Sequence, residues 1–262
     1  MDQRAHNREA WDRKAAAGDQ WTLPVGPEVT AAARRGEWSV LLTPVRPVPR
    51  TWFPPDLGCD VLALAAGGGQ QGPVLAAAGA RVTVFDNSPA QLARDRAVAA
   101  RDGLDLVTVA GDMADLGRFA DGSFDLVFHP VANCFVPDVH PVWRECWRVL
   151  RPGGALLAGM MNPAHYVFDW ERADRDRVLE VRWTLPHADL DHLDAAGLDA
   201  ARERGWPLEW SHTLEDLVGG QLAAGFVLVG FYEDRFRPRD GDLASVHMPT
   251  LFATRALKRG PR

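Results

Sequence analysis

Between Val61 and Ser88 the chain reads VLALAAGGGQQGPVLAAAGARVTVFDNS, two short apolar runs joined through consecutive glycines, and no other stretch restricts the fold as tightly. Val61 to Ala65 has the length and unbroken apolar character of a strand buried on both faces, and the β-branched run Arg81 to Phe85 predicts a second one. Parallel strands of this kind need a helical crossover, and the residues between them supply it. Gly67, Gly68 and Gly69 permit a tight turn and a close approach of ligand to bare backbone, while Pro73 suits the first turn of a helix. The second run ends in Asp86, about 20 residues beyond the glycines, where a carboxylate can accept hydrogen bonds from both hydroxyls of a ribose. Ser88-Pro89-Ala90-Gln91 reads as a capping box with proline at the first helical position, so a further helix begins there. Such a unit predicts a seat for a nucleotide-like cofactor.

At 262 residues and 47% hydrophobic content the chain can bury one large core, which favours a single α/β domain with insertions. A net charge of -6 argues against a broad nucleic-acid or anionic-membrane footprint and favours a small-molecule partner. No apolar stretch approaches the roughly 20 residues of a membrane span, and the first residues are charged and polar, so a cytoplasmic protein is expected. Cys59, Cys134 and Cys146 are widely spaced, without metal-finger spacing; they read as reduced thiols, and no metal site is expected.

The rest of the chain divides into residues 1–55, a leader or cap, and residues 56–262, a core with an insertion at about 162–210. The leader predicts one helix around Arg8 to Ala16, followed by proline-punctuated segments that exclude long helices. Leu106 to Ala110 predicts a third strand leading into Gly111-Asp112-Met113, and Phe124 to Phe128 a fourth leading into His129-Pro130. Asp138 to Leu150 predicts a helix closed by Arg151-Pro152-Gly153-Gly154, ahead of a fifth strand over Ala155 to Met160. Strict alternation of this kind makes a parallel, doubly wound sheet. The charged, tryptophan-bearing insertion predicts a helical lid. Beyond it, Thr213 to Ala224 predicts a helix stopped at Gly225, and Phe226 to Tyr232 and Thr250 to Leu257 predict an antiparallel terminal hairpin, seven strands in all.

Gly67-x-Gly69-x-x-Gly72 satisfies the dinucleotide fingerprint, which keeps an NAD(P)-dependent oxidoreductase open as an alternative, but a dehydrogenase would continue with parallel units. An acidic residue ending the second strand, Gly-Asp-Met after the third, Leu-Arg-Pro-Gly-Gly before the fifth and a final hairpin occur here in order. From Asp56 to Leu257 the chain resembles the class I S-adenosylmethionine-dependent methyltransferases, and in particular a bacterial small-molecule branch whose glycine loop reads GGGQQ, here Gly67 to Gln71. The branch also shares Gly230 to Arg235 and Ala253 to Ala256. The resemblance implies a Rossmann-like, mostly parallel seven-stranded sheet with an antiparallel last strand, and S-adenosyl-L-methionine as cofactor with S-adenosyl-L-homocysteine as product.

Carried over position by position, the resemblance places the methionine part of the cofactor against Ala65, Gly67 and Gly69, with Gln71 beside them. It gives the ribose to Asp86, the adenine border to Asn87 and Ser88, and the adenine amino group and ring face to Asp112 and Met113. His129 and Asn133 follow the fourth strand, beside the methyl group, where His129 can contact cofactor or serve as base and Asn133 can contact the cofactor or position the acceptor. The chain departs from the pattern at Ala63, usually acidic, and at Ala65, usually glycine; amide contacts from Gln70 and Gln71 are the expected compensation.

Eight of the 10 tryptophans fall in the leader and the insertion, and Trp21 and Trp38, both in irregular segments, are the expected substrate-pocket rings. An apolar or aromatic acceptor fits such a pocket, with O, N, S or C as the accepting atom. A general base is optional; His129 is the first candidate and His165, after the fifth strand, the second. A homodimer is among the expected states. A non-catalytic S-adenosylmethionine-binding protein is the third reading, kept open by the missing acid at Ala63.

Overall fold

The computed structural model describes residues 2–260. Its centre is one seven-stranded sheet of order β3-β2-β1-β4-β5-β7-β6, formed by β1 (Asp60–Leu64), β2 (Arg81–Asp86), β3 (Leu106–Ala110), β4 (Phe124–His129), β5 (Leu150–Met161), β6 (Phe226–Asp234) and β7 (Leu251–Lys258). Strands β1 to β5 pair in parallel, and β7 runs antiparallel to both β5 and β6, so six strands share one direction. The expected fold is therefore the observed one, with one refinement: the last strand in sequence lies inside the sheet, and β6 forms the edge.

Crossover helices cover both faces: α3 (Gln71–Ala77), α4 (Pro89–Asp102) and α5 (His140–Val149), joined by the leader helices α1 (Gln3–Ala17) and α2 (Pro27–Arg34). The alternation within β1 shows why the sheet holds. Val61 and Ala63 point into a cluster with Val74, Leu75, Val84, Phe128 and the leader's Val40, Leu42 and Phe53. Leu62 and Leu64 point into the opposite cluster with Phe85, Val127, Leu156 and Trp143 of α5. All four are fully buried, which is why the run reads as unbroken apolar.

Boundaries shift where local chemistry overrides the pattern. Strand β5 begins at Leu150, not Ala155, because Phe124 pairs with Leu150 and Leu126 with Ala155; residues 151–154 form a bulge whose Gly153 adopts φ +85°. The helix predicted from Thr213 is a π-turn over Glu215–Gly219 running into α8 (Gly220–Ala223), and Gly225 ends it at φ +104°. The predicted leader helix extends back to Gln3, where the Asp2 carboxylate accepts the Ala5 N–H. Between β5 and this turn lie two short helices, α6 (Trp170–Asp176) and α7 (Ala195–Arg204). Among the described residues no helix is long and apolar enough to cross a membrane.

Candidate active site

The strand order reverses between β1 and β4, and in open parallel sheets ligands bind outside the carboxyl ends of the strands at that point. A cavity of about 1500 Å³ opens there. Its floor comes from successive strand ends: Ala65 to Gly67 after β1, Asp86 and Asn87 at β2, Gly111 to Ala114 after β3, Pro130 to Ala132 after β4 and Met161 at β5. Leader residues such as Asn7, Trp11 and Trp21 cover one side, and Trp206 to Glu209 of the insertion cover the other.

Asp86 is the best-defined polar group at the rim. Its Oδ2 accepts the Gly67 N–H (3.0 Å) and its Oδ1 the Ser88 N–H (2.8 Å), so each oxygen retains one lone pair for a ligand. Burial raises its affinity for a proton, and the nearby Asp12 carboxylate adds to the effect. A Cβ on Gly67 would stand 2.7 Å from Gln91 Cβ and 3.0 Å from Asp86 Oδ2, so only bare backbone fits there. Ala65, where the family places glycine, sits at φ +47°, a left-handed conformation unusual for a residue with a Cβ. At the third strand end, Asp112 Oδ1 accepts the Ala114 N–H (3.0 Å), and Arg4 reaches within 3.6 Å of its Oδ2. Met113 lies on the cavity wall and packs against the sheet core.

Ala65, Gly67, Gln71, Asp86, Asn87, Asp112, Met113, Trp21 and His165 thus meet at one cavity. The remaining expected site residues do not line it. Gly69 turns beneath the leader, its carbonyl accepting the Val25 N–H, and a Cβ there would lie 2.9 Å from Pro24 Cβ. Ser88 is buried as the cap of α4: its Oγ accepts the Gln91 N–H and donates to Asp12 Oδ1. The capping box is only half made, because Asp86 takes the Ser88 N–H and the Gln91 Oε1 is buried without a partner among the described residues. Asn133 is buried, its amide donating to the Gly159 carbonyl. Trp38 packs edge-on to Phe53 (5.0 Å between ring centres) under the Arg50 guanidinium, away from the cavity.

His129 is also off the cavity. It is fully buried, with Nδ1 3.0 Å from the Leu64 carbonyl; that oxygen only accepts, so Nδ1 carries the hydrogen and Nε2 is left without a partner. Burial pushes its pKa down to about 4. A base behind the wall cannot reach an acceptor in front of it. His165 does line the cavity, stacked on Trp170 at 4.0 Å with Asp242 3.9 Å from its Nδ1, and burial lowers its pKa to about 4 as well.

The glutamines expected to compensate for Ala63 have other partners. Gln70 Nε2 donates to the carbonyls of Gln20 and Leu23, and Gln71 Oε1 accepts the Leu41 N–H, so both amides fasten the leader over the glycine loop. The carboxylate beneath the loop belongs instead to Asp95 of α4, whose Oδ2 accepts the Gly68 N–H (3.0 Å). Burial raises the Asp95 pKa to about 7.

Sequence reasoning missed three groups. Asn7 joins the two covers: its side chain donates to the Leu208 and Phe135 carbonyls and accepts the Leu208 N–H. Trp11 meets Phe135 edge-on at 5.4 Å on the wall. Glu209 also lies on the wall, accepting the Tyr166 hydroxyl (2.6 Å), and burial raises its pKa to about 7. Its signal was legible in retrospect, a lone acid in the aromatic run Trp206-Pro207-Leu208-Glu209-Trp210.

A sheet of this order with its loops converging on one rim is the architecture of the class I S-adenosylmethionine-dependent methyltransferases. Residues 62–158 match the family model described as a methyltransferase domain. The chain is 48% identical over 254 residues to an uncharacterized methyltransferase of Bacillus subtilis, YbaJ, across 97% of this chain and 98% of that one. Among solved structures, an S-adenosylmethionine-dependent methyltransferase from Mesorhizobium loti superposes with a TM-score of 0.62 at 19% identity, over 79% of this chain and 94% of that one. The Burkholderia thailandensis 1,6-didemethyltoxoflavin-N1-methyltransferase, solved with its substrate and S-adenosylhomocysteine, gives 0.57 at 17% identity, over 98% and 88%. The chain belongs to the methyltransferase family, in its class I, S-adenosylmethionine-dependent form.

Proposed function

We propose that this protein methylates a small aromatic or apolar molecule enclosed between the leader and the insertion, which together serve as a lid. The observation that carries the reading is the convergence of five strand ends and both covers on one cavity of about 1500 Å³, larger than the cofactor's adenosine alone needs. Its cover is rich in rings, with Trp11, Trp21, Phe135, Trp170 and Phe236 on the wall. Such faces suit a flat apolar acceptor and attract a sulfonium cation. The Burkholderia enzyme, solved with 1,6-didemethyltoxoflavin and S-adenosylhomocysteine bound, supports a small-molecule acceptor here.

Asp86 would hold the ribose, Ala65 and Gly67 the methionine part, and Asn87, Asp112 and Met113 the adenine. The fit rests on Asp86's two outward lone pairs and on the bare backbone at Gly67. When bound, S-adenosylmethionine supplies a methyl group on a cationic sulfur and leaves as S-adenosylhomocysteine. The chain's own contribution is alignment and exclusion of water, which can lower a two-reactant barrier by about 7 to 11 kcal/mol. Neither the dehydrogenase nor the binding-only alternative gains support: antiparallel β7 replaces the further parallel units of the first, and the relative aligned along nearly the whole chain is a methyltransferase. Calorimetry with S-adenosylmethionine, S-adenosylhomocysteine and NADH tests the reading. Binding of the first two alone is expected, and binding of NADH alone would overturn it.

A further inference from the structure

On the insertion side of the cavity a polar cluster stands apart from the cofactor loops. Glu209 occupies the wall, and Asp189 and Cys134 share that wall with it. The carboxylate is fixed from several directions. Tyr166 Oη donates to Glu209 Oε2 (2.6 Å), and the Glu209 backbone N–H donates to Asp189 Oδ2 (2.8 Å). His187 Nε2 lies 3.0 Å from Asp189 Oδ1, and the His187 ring stacks on Tyr166. The next residue, Trp210, donates its N–H to the Cys134 carbonyl (2.8 Å), which ties the segment to the loop leaving β4. That loop leaves the same carboxyl edge of the parallel sheet as the cofactor loops. Glu209 Oε1 accepts no hydrogen bond among the described residues.

We infer that Glu209 is the catalytic base: its free Oε1 receives the proton of an acceptor N–H or O–H, and the substrate class is a flat aromatic molecule carrying such a group. The inference rests on the proposed methyl transfer at this cavity. The acceptor's heteroatom lone pair forms the new bond to the methyl carbon, the electron pair of the old carbon–sulfur bond stays on sulfur, and the proton goes to Oε1. Glu209 faces Asp189, Tyr166, Cys134, His187 and Lys14. Burial raises its proton affinity most and the Asp189 charge adds to this; the Tyr166 hydroxyl, Lys14 and His187 oppose it, leaving a pKa of about 7. A group in this range is charged enough to accept a proton near neutrality and basic enough to hold it. Tyr166 is a positioning residue, holding Oε2 so that Oε1 turns outward.

The test uses the full chain with naphthol and indazole as probes, and their methylated counterparts as controls. Binding is measured by calorimetry with S-adenosylhomocysteine present, and turnover with tritiated S-adenosylmethionine. Wild type should bind at least one parent probe about tenfold more tightly than its methylated form, a preference that should vanish in Glu209→Gln. Turnover should fall roughly 100- to 10,000-fold in Glu209→Gln, losing the acidic limb near pH 7, with unchanged melting temperature and S-adenosylhomocysteine affinity. Tyr166→Phe should keep the limb and move it to higher pH, because the lost hydroxyl stabilised the charged carboxylate. A Glu209→Gln enzyme with wild-type turnover and limb overturns the base; wild type that binds S-adenosylhomocysteine but neither parent probe overturns the substrate class. Failure of wild type to bind S-adenosylhomocysteine would instead overturn the reading beneath both.

Discussion

Replacing Asp86 with Asn separates the two tasks assigned to that carboxylate. Asp86 accepts one backbone N–H on each oxygen, from Gly67 and from Ser88. An Asn side chain has one oxygen, so its amide group must face one of those donors, and neither geometry nor rotation relieves the clash. The lost bond went to a charged acceptor, which makes the expected destabilisation about 1.5 to 3 kcal/mol. For a domain somewhat above 200 residues that lowers the melting temperature by roughly 3 to 12 °C. Weakening one ribose hydroxyl contact by the same amount lowers cofactor affinity roughly 10- to 150-fold. Thermal melts of the free protein and calorimetry with S-adenosylhomocysteine read the two effects separately. A variant that melts early yet binds within about twofold of wild type would show that Asp86 only braces the loop, and the cofactor assignment would fail.

Three further outcomes follow from the geometry. Trp21→Ala should raise the acceptor KM without lowering the melting temperature much, since Trp21 lines the cavity and is 38% exposed; Trp38→Ala should do the reverse, removing about 1 to 2 kcal/mol of packing with Phe53 and Arg50. The Asp95 carboxyl has its pKa raised from 3.8 to about 7, so its stabilising contribution is complete below pH 3.8 and lost as pH rises to 7. Urea titrations at pH 5 and pH 8 should therefore show a decline that Asp95→Asn reduces by roughly 3 kcal/mol, and an equal decline in both proteins would refute the assignment. Ala65→Gly should raise stability by up to about 1 kcal/mol, because φ +47° strains a residue with a Cβ more than glycine's extra chain entropy costs. A clear loss in urea unfolding would show that the Ala65 methyl is needed for packing.

The core was legible because its signals are local. An apolar run such as Val61 to Leu64, a glycine turn and an acid ending β2 each follow from the conformation or burial of a few adjacent residues, and together they fix strand order and rim. The place of Asp86 on the cavity follows from the same local signals. Groups whose place depends on distant partners do not follow from them. His129 reads as a strand-end residue beside the methyl group, yet its ring is buried against the Leu64 carbonyl of the neighbouring strand. Gln70 and Gln71 sit in the glycine loop, but their partners, Gln20, Leu23 and Leu41, lie some 30 to 50 residues earlier in the chain. Asn7 and Glu209 were missed because the contact that gives Asn7 its place spans 201 positions, and the insertion's path is set by packing onto the leader, not by periodicity.

A crystal structure of the protein with S-adenosylhomocysteine bears most directly on the account. It predicts the ribose hydroxyls on Asp86, the adenine between Asn87 and Met113, and the sulfur facing the ring-lined part of the cavity that holds Glu209. A ligand seated elsewhere, or one whose sulfur points away from Glu209, would contradict it.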